Sequence, residues 1–135
     1  MGLHGTISVP ELDIEADLGW SWLYPHFCKG CSWDDATIWP THNLIGFHAP
    51  NWNELYDIRR YMVVYIHGIH SWQSKTYVVE DIGIVDDDAL LQVPTGPRLL
   101  VVICYPDRPW PQRLLIHLVE LEHADFYGAL EEEWR

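Results

Sequence analysis

Two kinds of apolar pattern run through the chain, and both have the period of strands. From Leu12 to Leu18, apolar Leu12, Ile14, Ala16 and Leu18 alternate with Asp13, Glu15 and Asp17. A period of two predicts a half-buried strand. The acids of Glu11–Asp17 are then its solvated face rather than a metal site. Tyr61–His67, Leu99–Cys104 and Arg113–Val119 are short apolar runs bounded by turn residues, and these also predict strands. Thr6–Val9 is a further short strand ended by Pro10, and Asn43–Phe47 a brief one. Trp72–Val79 follows a turn at Gly68–Ser71 and has the pattern to run on through Ile82 and Ile84 to Val85.

Helix is minor. Asn51–Tyr56 suits one turn, capped by Asn51 or Asn53. Asp86–Asp88 before Ala89-Leu90-Leu91 predicts a short helix, because acids favour the positive end of the helix dipole. Ala124–Trp134 predicts a helical tail. Gly19–Thr41 holds Trp20, Trp22, Pro25, Gly30 and Pro40 and reads as a long loop with short pieces of structure. Pro94–Pro97 is a turn, and the Pro-rich Tyr105–Gln112 joins the last two strands. The fold class predicted is all-β, and closing the strands into a barrel removes exposed edges.

The 135 residues suffice for one domain, residues 1–135, with a real core. Acids outnumber bases 20 to 8, a formal charge of −12, which argues against nucleic acid or an anionic membrane as partner. The apolar runs fall far short of a bilayer span, and the start Met-Gly-Leu-His has no signal-peptide character. The chain is thus expected to carry no signal or membrane anchor. Eight Trp and seven Tyr are many for this length and read first as core and groove packing.

Candidate chemistry gathers at strand ends. Cys104 closes an apolar run just before a polar, Pro-rich loop, and Arg113 opens the next strand nine residues later. If those strands pair, the two residues share one end of the sheet, and a cationic neighbour favours the reactive thiolate. A buried structural cysteine with a surface arginine is the alternative on these residues alone. His48 closes Leu44-Ile45-Gly46-Phe47-His48 before Pro50. A catalytic cysteine needs a positioned acid for its leaving group, which is the usual work of a histidine.

In this order the motifs resemble those of the sortases, cysteine transpeptidases of bacterial surfaces. Ile7-Ser8-Val9-Pro10-Glu11-Leu12-Asp13-Ile14 is similar to the family's opening strands. Asn43–His48 resembles the strand ending in the catalytic histidine, and Trp52–Tyr65 the helical turn and strand after it. Pro94–Pro106, with Cys104-Tyr105-Pro106, resembles the strand carrying the nucleophile. Gln112–Ile116 resembles the strand opening with the essential arginine.

The resemblance implies a sortase-like closed β-barrel of about eight strands with short helices. It implies Cys104 as nucleophile, His48 as acid and base, and Arg113 as oxyanion or backbone donor. The substrate would be a surface-protein or pilin sorting-signal peptide, and the acceptor an amine of the cell wall or of a pilin. The location would be extracytoplasmic, at the cell surface. The segment 86–97 would then border the peptide groove, with Leu90, Leu91 and Val93 as apolar contacts or, equally, as core.

Leu100-Val101-Val102-Ile103-Cys104 stands where the family has Thr-Leu-x-Thr-Cys. This motivates a rival reading, a catalytically weak sortase-fold module that binds peptides. No cofactor is expected. Asp86–Asp88 is also a candidate calcium site, though a helix start accounts for it more simply. Three cysteines exclude a closed disulfide framework. Cys28-Lys29-Gly30-Cys31 is read as a structural disulfide or idle thiols, with a zinc site completed by His26 or His42, or a redox pair, as alternatives.

Overall fold

A computed structural model describes residues 4–22, 35–47, 53–68, 74–86, 90–105 and 112–123. Its strands are β1 (His4–Val9), β2 (Ile14–Trp20), β3 (Ala36–Trp39), β4 (Leu44–Phe47), β5 (Val63–His67), β6 (Lys75–Asp86), β7 (Arg98–Tyr105) and β8 (Gln112–Glu120). They close into a barrel in the order β1-β2-β3-β4-β7-β8-β6-β5. Closure satisfies the backbone groups that an open sheet would leave exposed. Most neighbours are antiparallel, but β2–β3 and β4–β7 run parallel.

The period-two reading is visible in β2, where Ile14, Ala16 and Leu18 are buried while Glu15 and Asp17 are exposed. The strand begins later than its pattern suggested, because Pro10–Leu12 forms a 3₁₀ turn and Asp13 takes a left-handed φ of 54°. The same device recurs at Pro40–His42, followed by Asn43 at φ 50°. In both, a proline with its φ already fixed opens the turn, and an Asp or Asn tolerates the left-handed exit. Each exit residue donates its N–H to the proline carbonyl, at 3.1 Å from Asp13 and 3.4 Å from Asn43. Each turn therefore reverses the chain from one strand into the next.

The continuous apolar run of β7 has a structural cause, since both faces of the strand are covered. Leu99, Val101 and Ile103 join the barrel interior with Ile7, Leu18, Ile45 and Ile116. Leu100 and Val102 instead join a second cluster on the outer face, with Trp39, Leu44 and Leu115. Covering both faces removes the polar alternation.

Gly19–Thr41, expected as a long loop with short pieces of structure, holds such pieces, and they are strands. Gly19 and Trp20 belong to β2, and Ala36–Trp39 is β3, paired parallel to β2 and antiparallel to β4. A fully buried four-residue strand has no alternation to announce it. The short helix expected over Asp86–Leu91 is not formed by its described residues: Asp86 closes β6, and Leu90 and Leu91 lie in irregular chain. The next strand starts at Lys75 rather than Trp72 but does run on past Val85. The helical turn near Asn51 is a 3₁₀ turn over Asn53–Asp57, whose Leu55 enters the barrel core together with Ile58. The expected tail helix lies outside the described residues. Among the described residues, no helix is long and apolar enough to cross a membrane.

Candidate functional site

β4, β7 and β8 are neighbours, and their directions bring three strand ends to one mouth of the barrel. β4 runs parallel to β7 with Leu44 beside Leu100, Ile45 beside Val101 and Gly46 beside Val102. β8 runs antiparallel to β7, so its start lies at the end where β7 finishes. The register there sets Cys104 directly opposite Arg113. On its other side Arg113 stands opposite Val85 of β6. Directly opposed residues of an antiparallel pair share a face of the sheet, with Cα atoms roughly 4.5–5.5 Å apart. By strand alternation Arg113 falls in the series of Leu115 and so on the outer face, beyond one end of the outer apolar cluster. Arg113 is half-buried.

His48 lies outside the described residues. The chain joins it directly to Phe47, the last residue of β4. Cys28, Cys31 and His26 also lie outside them, as do Asp87 and Asp88. Of the groups weighed for metal, His42 and Asp86 are described. Among the described residues no three His, Cys, Asp or Glu groups are placed to hold a metal ion.

The three expected apolar contacts separate. Leu91 packs with Val85 against the outer cluster. Leu90 is 98% exposed and Val93 43% exposed, so neither is core. Two hydrogen bonds fix the segment that carries them. The Asn43 side chain donates Nδ2–H to the Pro94 carbonyl at 3.0 Å, and Glu120 donates its N–H to the Pro97 carbonyl at 2.8 Å. Gly96 takes φ 71° between them, a conformation other residues adopt only with strain. Asn43 also accepts the Leu100 N–H on its own carbonyl at 2.9 Å. One residue thus ties the start of β4 to β7 and to the connection between β6 and β7. The sequence reading took Asn43 only as a strand start. The signal present was the Pro-x-x-Asn pattern before an apolar run, shared with Pro10–Asp13.

The outer cluster is the other feature missed. Trp39, Leu44, Leu100, Val102 and Leu115 form an apolar floor whose far end is marked by the Cys104–Arg113 rung. A peptide lying along this floor would meet apolar surface first and the thiol-bearing position at its end. A cavity of about 410 Å³ lies elsewhere, at the opposite end of β8, lined by Lys75, Glu120 and Glu122 among others. It holds the Lys75–Glu120 ion pair and none of the candidate site residues.

The fold is that of the sortases. Sortase C1 of Streptococcus suis superposes with a TM-score of 0.66 at 13% identity, over 92% of this chain and 75% of that one. A pilus-related sortase C of group B Streptococcus gives 0.64 at 20% identity, over 90% and 69%. Sortase A of Corynebacterium diphtheriae gives 0.65 at 14%, over 91% and 62%. Both C and A types are among the similar structures, so the likeness assigns no class. No protein-family model and no curated protein sequence matches the chain.

Proposed function

We propose that this sortase-fold chain is a cysteine transpeptidase that cleaves a sorting-signal peptide and passes its acyl part to an amine. The observation that carries the reading is the pairing of Cys104 with Arg113 at the end of β7, next to the strand that leads into His48. Parallel pairing of β4 with β7 makes these strand ends neighbours although 56 residues separate His48 from Cys104.

In the proposed reaction the Cys104 thiolate attacks the scissile carbonyl carbon. The carbonyl π electrons move onto oxygen, where Arg113 donates hydrogen bonds to the oxyanion. As the oxyanion collapses, the C–N bond breaks and protonated His48 gives its proton to the departing amine. The product is a thioester on Cys104 and a free amine fragment. An incoming amine then attacks the thioester, His48 takes a proton from it, and the thiolate leaves. Leu91 stays packed on the floor, while exposed Leu90 and Val93 are the groove contacts of the same connection. The partners are a surface-protein or pilin sorting signal and an amine of the cell wall or of a pilin, which places the work outside the cytoplasm.

The test is mass spectrometry of the protein after incubation with a library of sorting-signal peptides. A thioester adduct on Cys104, absent in Cys104→Ala, supports the reading. His48→Ala should lose activity by about 10²–10⁴, as for loss of a general acid and base. Saturable peptide binding with no adduct would instead favour the peptide-binding module, which Ile103 before Cys104 and Phe47 before His48 motivate.

A further inference from the structure

β6 is longer than the strand that covers one of its edges. Its first part pairs with β5, from Ile66 beside Lys75 to Val63 beside Val78. Backbone bonds between Val79 and the turn before β5 extend that contact, with Tyr61 N–H to Val79 O and Val79 N–H to Met62 O both at 2.9 Å. The ladder with β8 then breaks at a bulge between Val79 and Asp81. Glu80, the extra residue, is held in place. Arg60 donates Nε–H to its carbonyl at 3.0 Å, and Arg98 meets its carboxylate at 3.1 Å. From Asp81 to Asp86 the strand pairs with β8 alone. Its other edge has no strand partner among the described residues.

The backbone groups on that edge can be assigned. Ile82 donates its N–H to its neighbour's carboxylate, Asp81 Oδ1, at 2.9 Å and so is turned away from β8. Groups alternate between the two sides of an antiparallel strand, so the N–H and C=O of Ile84 face the same open edge. Ile84 is 49% exposed, and a β-carbon on Gly83 would meet nothing within 4 Å among the described residues. Among those residues the edge therefore offers backbone without a strand partner, an apolar side chain and room.

Its ends are acidic. Asp81 and Asp86 are both exposed, and the whole chain carries a charge of −12. A second copy approaching this edge would bring the same acidic positions and the same net charge of −12 against it. The same two positions would attract a strand with cations at its ends. Repulsion of one partner and attraction of another together make a specific edge.

We propose that the 81–86 edge of β6 is a β-addition site for an extended peptide segment whose short β-branched run is flanked by basic residues. Backbone bonds at Ile84 supply the pairing, and Asp81 and Asp86 select the charge. The site lies at the same end of the barrel as Cys104, on the edge of β6 away from Arg113, and does not depend on the reaction proposed there.

The probe is the synthetic hexapeptide Lys-Thr-Val-Thr-Val-Lys, blocked at both ends and titrated into isotope-labelled full chain by NMR. Saturable shifts at the amides of residues 82–86, weakening several-fold as salt rises, are expected. The same peptide with Glu in place of both Lys should leave those amides unmoved. Ile84→Pro removes the outward N–H without removing a rung to β8 and should abolish binding. The double variant Asp81→Lys/Asp86→Lys should reverse the preference to the Glu-ended peptide, which keeps the test informative if Ile84→Pro does not fold. No saturable shift with the Lys-ended peptide, equal binding of both peptides, or shifts that map away from β6 would each overturn the proposal. So would concentration-dependent dimerisation through this edge.

Discussion

At the scale of single residues, Tyr77 links burial to pH. Its side chain lies in the barrel core, and its neighbour across the β6–β8 rung is Glu120. Burial, and then the Glu120 charge, push its phenol far above the ordinary value of 10.0. Above that ordinary value an unfolded chain releases the phenol proton while the folded chain keeps it. The native state then binds more protons, so stability falls as pH rises. Below pH 10 the contribution is fully present. Urea unfolding from about pH 9 to 11.5 should show the parent midpoint falling, and Tyr77→Phe should flatten that fall. An equally steep loss in Tyr77→Phe would place the effect elsewhere. Arg113 gives a second test at this scale. Arg113→Lys keeps the charge but loses the planar fork of donors, and should lower kcat/KM by roughly 10²-fold. Arg108→Lys, in the connection after β7, should be nearly silent. Reversed outcomes would mean that the register with Cys104 does not carry the proposed oxyanion contact.

Among the elements, the turn at Pro40–Asn43 does more than reverse the chain. Asn43 reaches the Pro94 carbonyl with its side chain and holds β7 with its backbone. Asn43→Gly keeps the left-handed conformation without strain and deletes only the side-chain tie. Amides of residues 90–97 should then exchange faster, and KM for a sorting-signal peptide should rise several-fold with kcat nearly unchanged. Asn43→Ala should add a fold-stability loss of about 1 kcal/mol, because alanine is strained at this φ. A fall in kcat with unchanged exchange would show that the tie does not act through the connection. This pair of roles marks where sequence legibility stops. The strands β1, β2, β4 and β5–β8 were readable because alternation or short apolar runs identify strands irrespective of partners. β3 was not, since four residues buried on both faces among Trp and Pro carry no period. The placement of Cys104 across from Arg113 was foreseeable only as a condition, that their strands pair; register is a tertiary fact. Likewise Leu90, Leu91 and Val93 look alike as letters, and only packing separates half-buried Leu91 from exposed Leu90 and Val93.

For the whole molecule, the question is what closes the barrel. β1 pairs with β2 over six residue pairs but with β5 over only three, from Thr6 beside His67 to Ser8 beside Tyr65. The β1–β5 seam is thus a short join between the first strands and the middle of the chain. Gly5 sits at its end, where a β-carbon would fall 1.9 Å from the His67 carbonyl oxygen and 2.8 Å from the Trp20 ring. A carbonyl in a ladder cannot swing aside as a flexible side chain can, so Gly5→Ala must push β1 off β5. Overpacking of this kind costs about 1–3 kcal/mol. Gly83→Ala is the matched control: it adds the same methyl where no described residue lies within 4 Å. It should be neutral or slightly stabilising, because alanine narrows the unfolded ensemble. Denaturant unfolding should therefore separate the two variants by at least about 1 kcal/mol. Hydrogen exchange should localise the Gly5→Ala loss to the amides of β1 and β5. β7 and β8 lie on the other side of the barrel order and should keep their protection, so thioester formation at Cys104 should survive at temperatures below the lowered midpoint. Equal stability of the two variants would show that β1 can move without cost and that the barrel is closed elsewhere. Loss of protection spread evenly over β7 and β8 would show instead that the barrel opens as one unit, with no weaker seam.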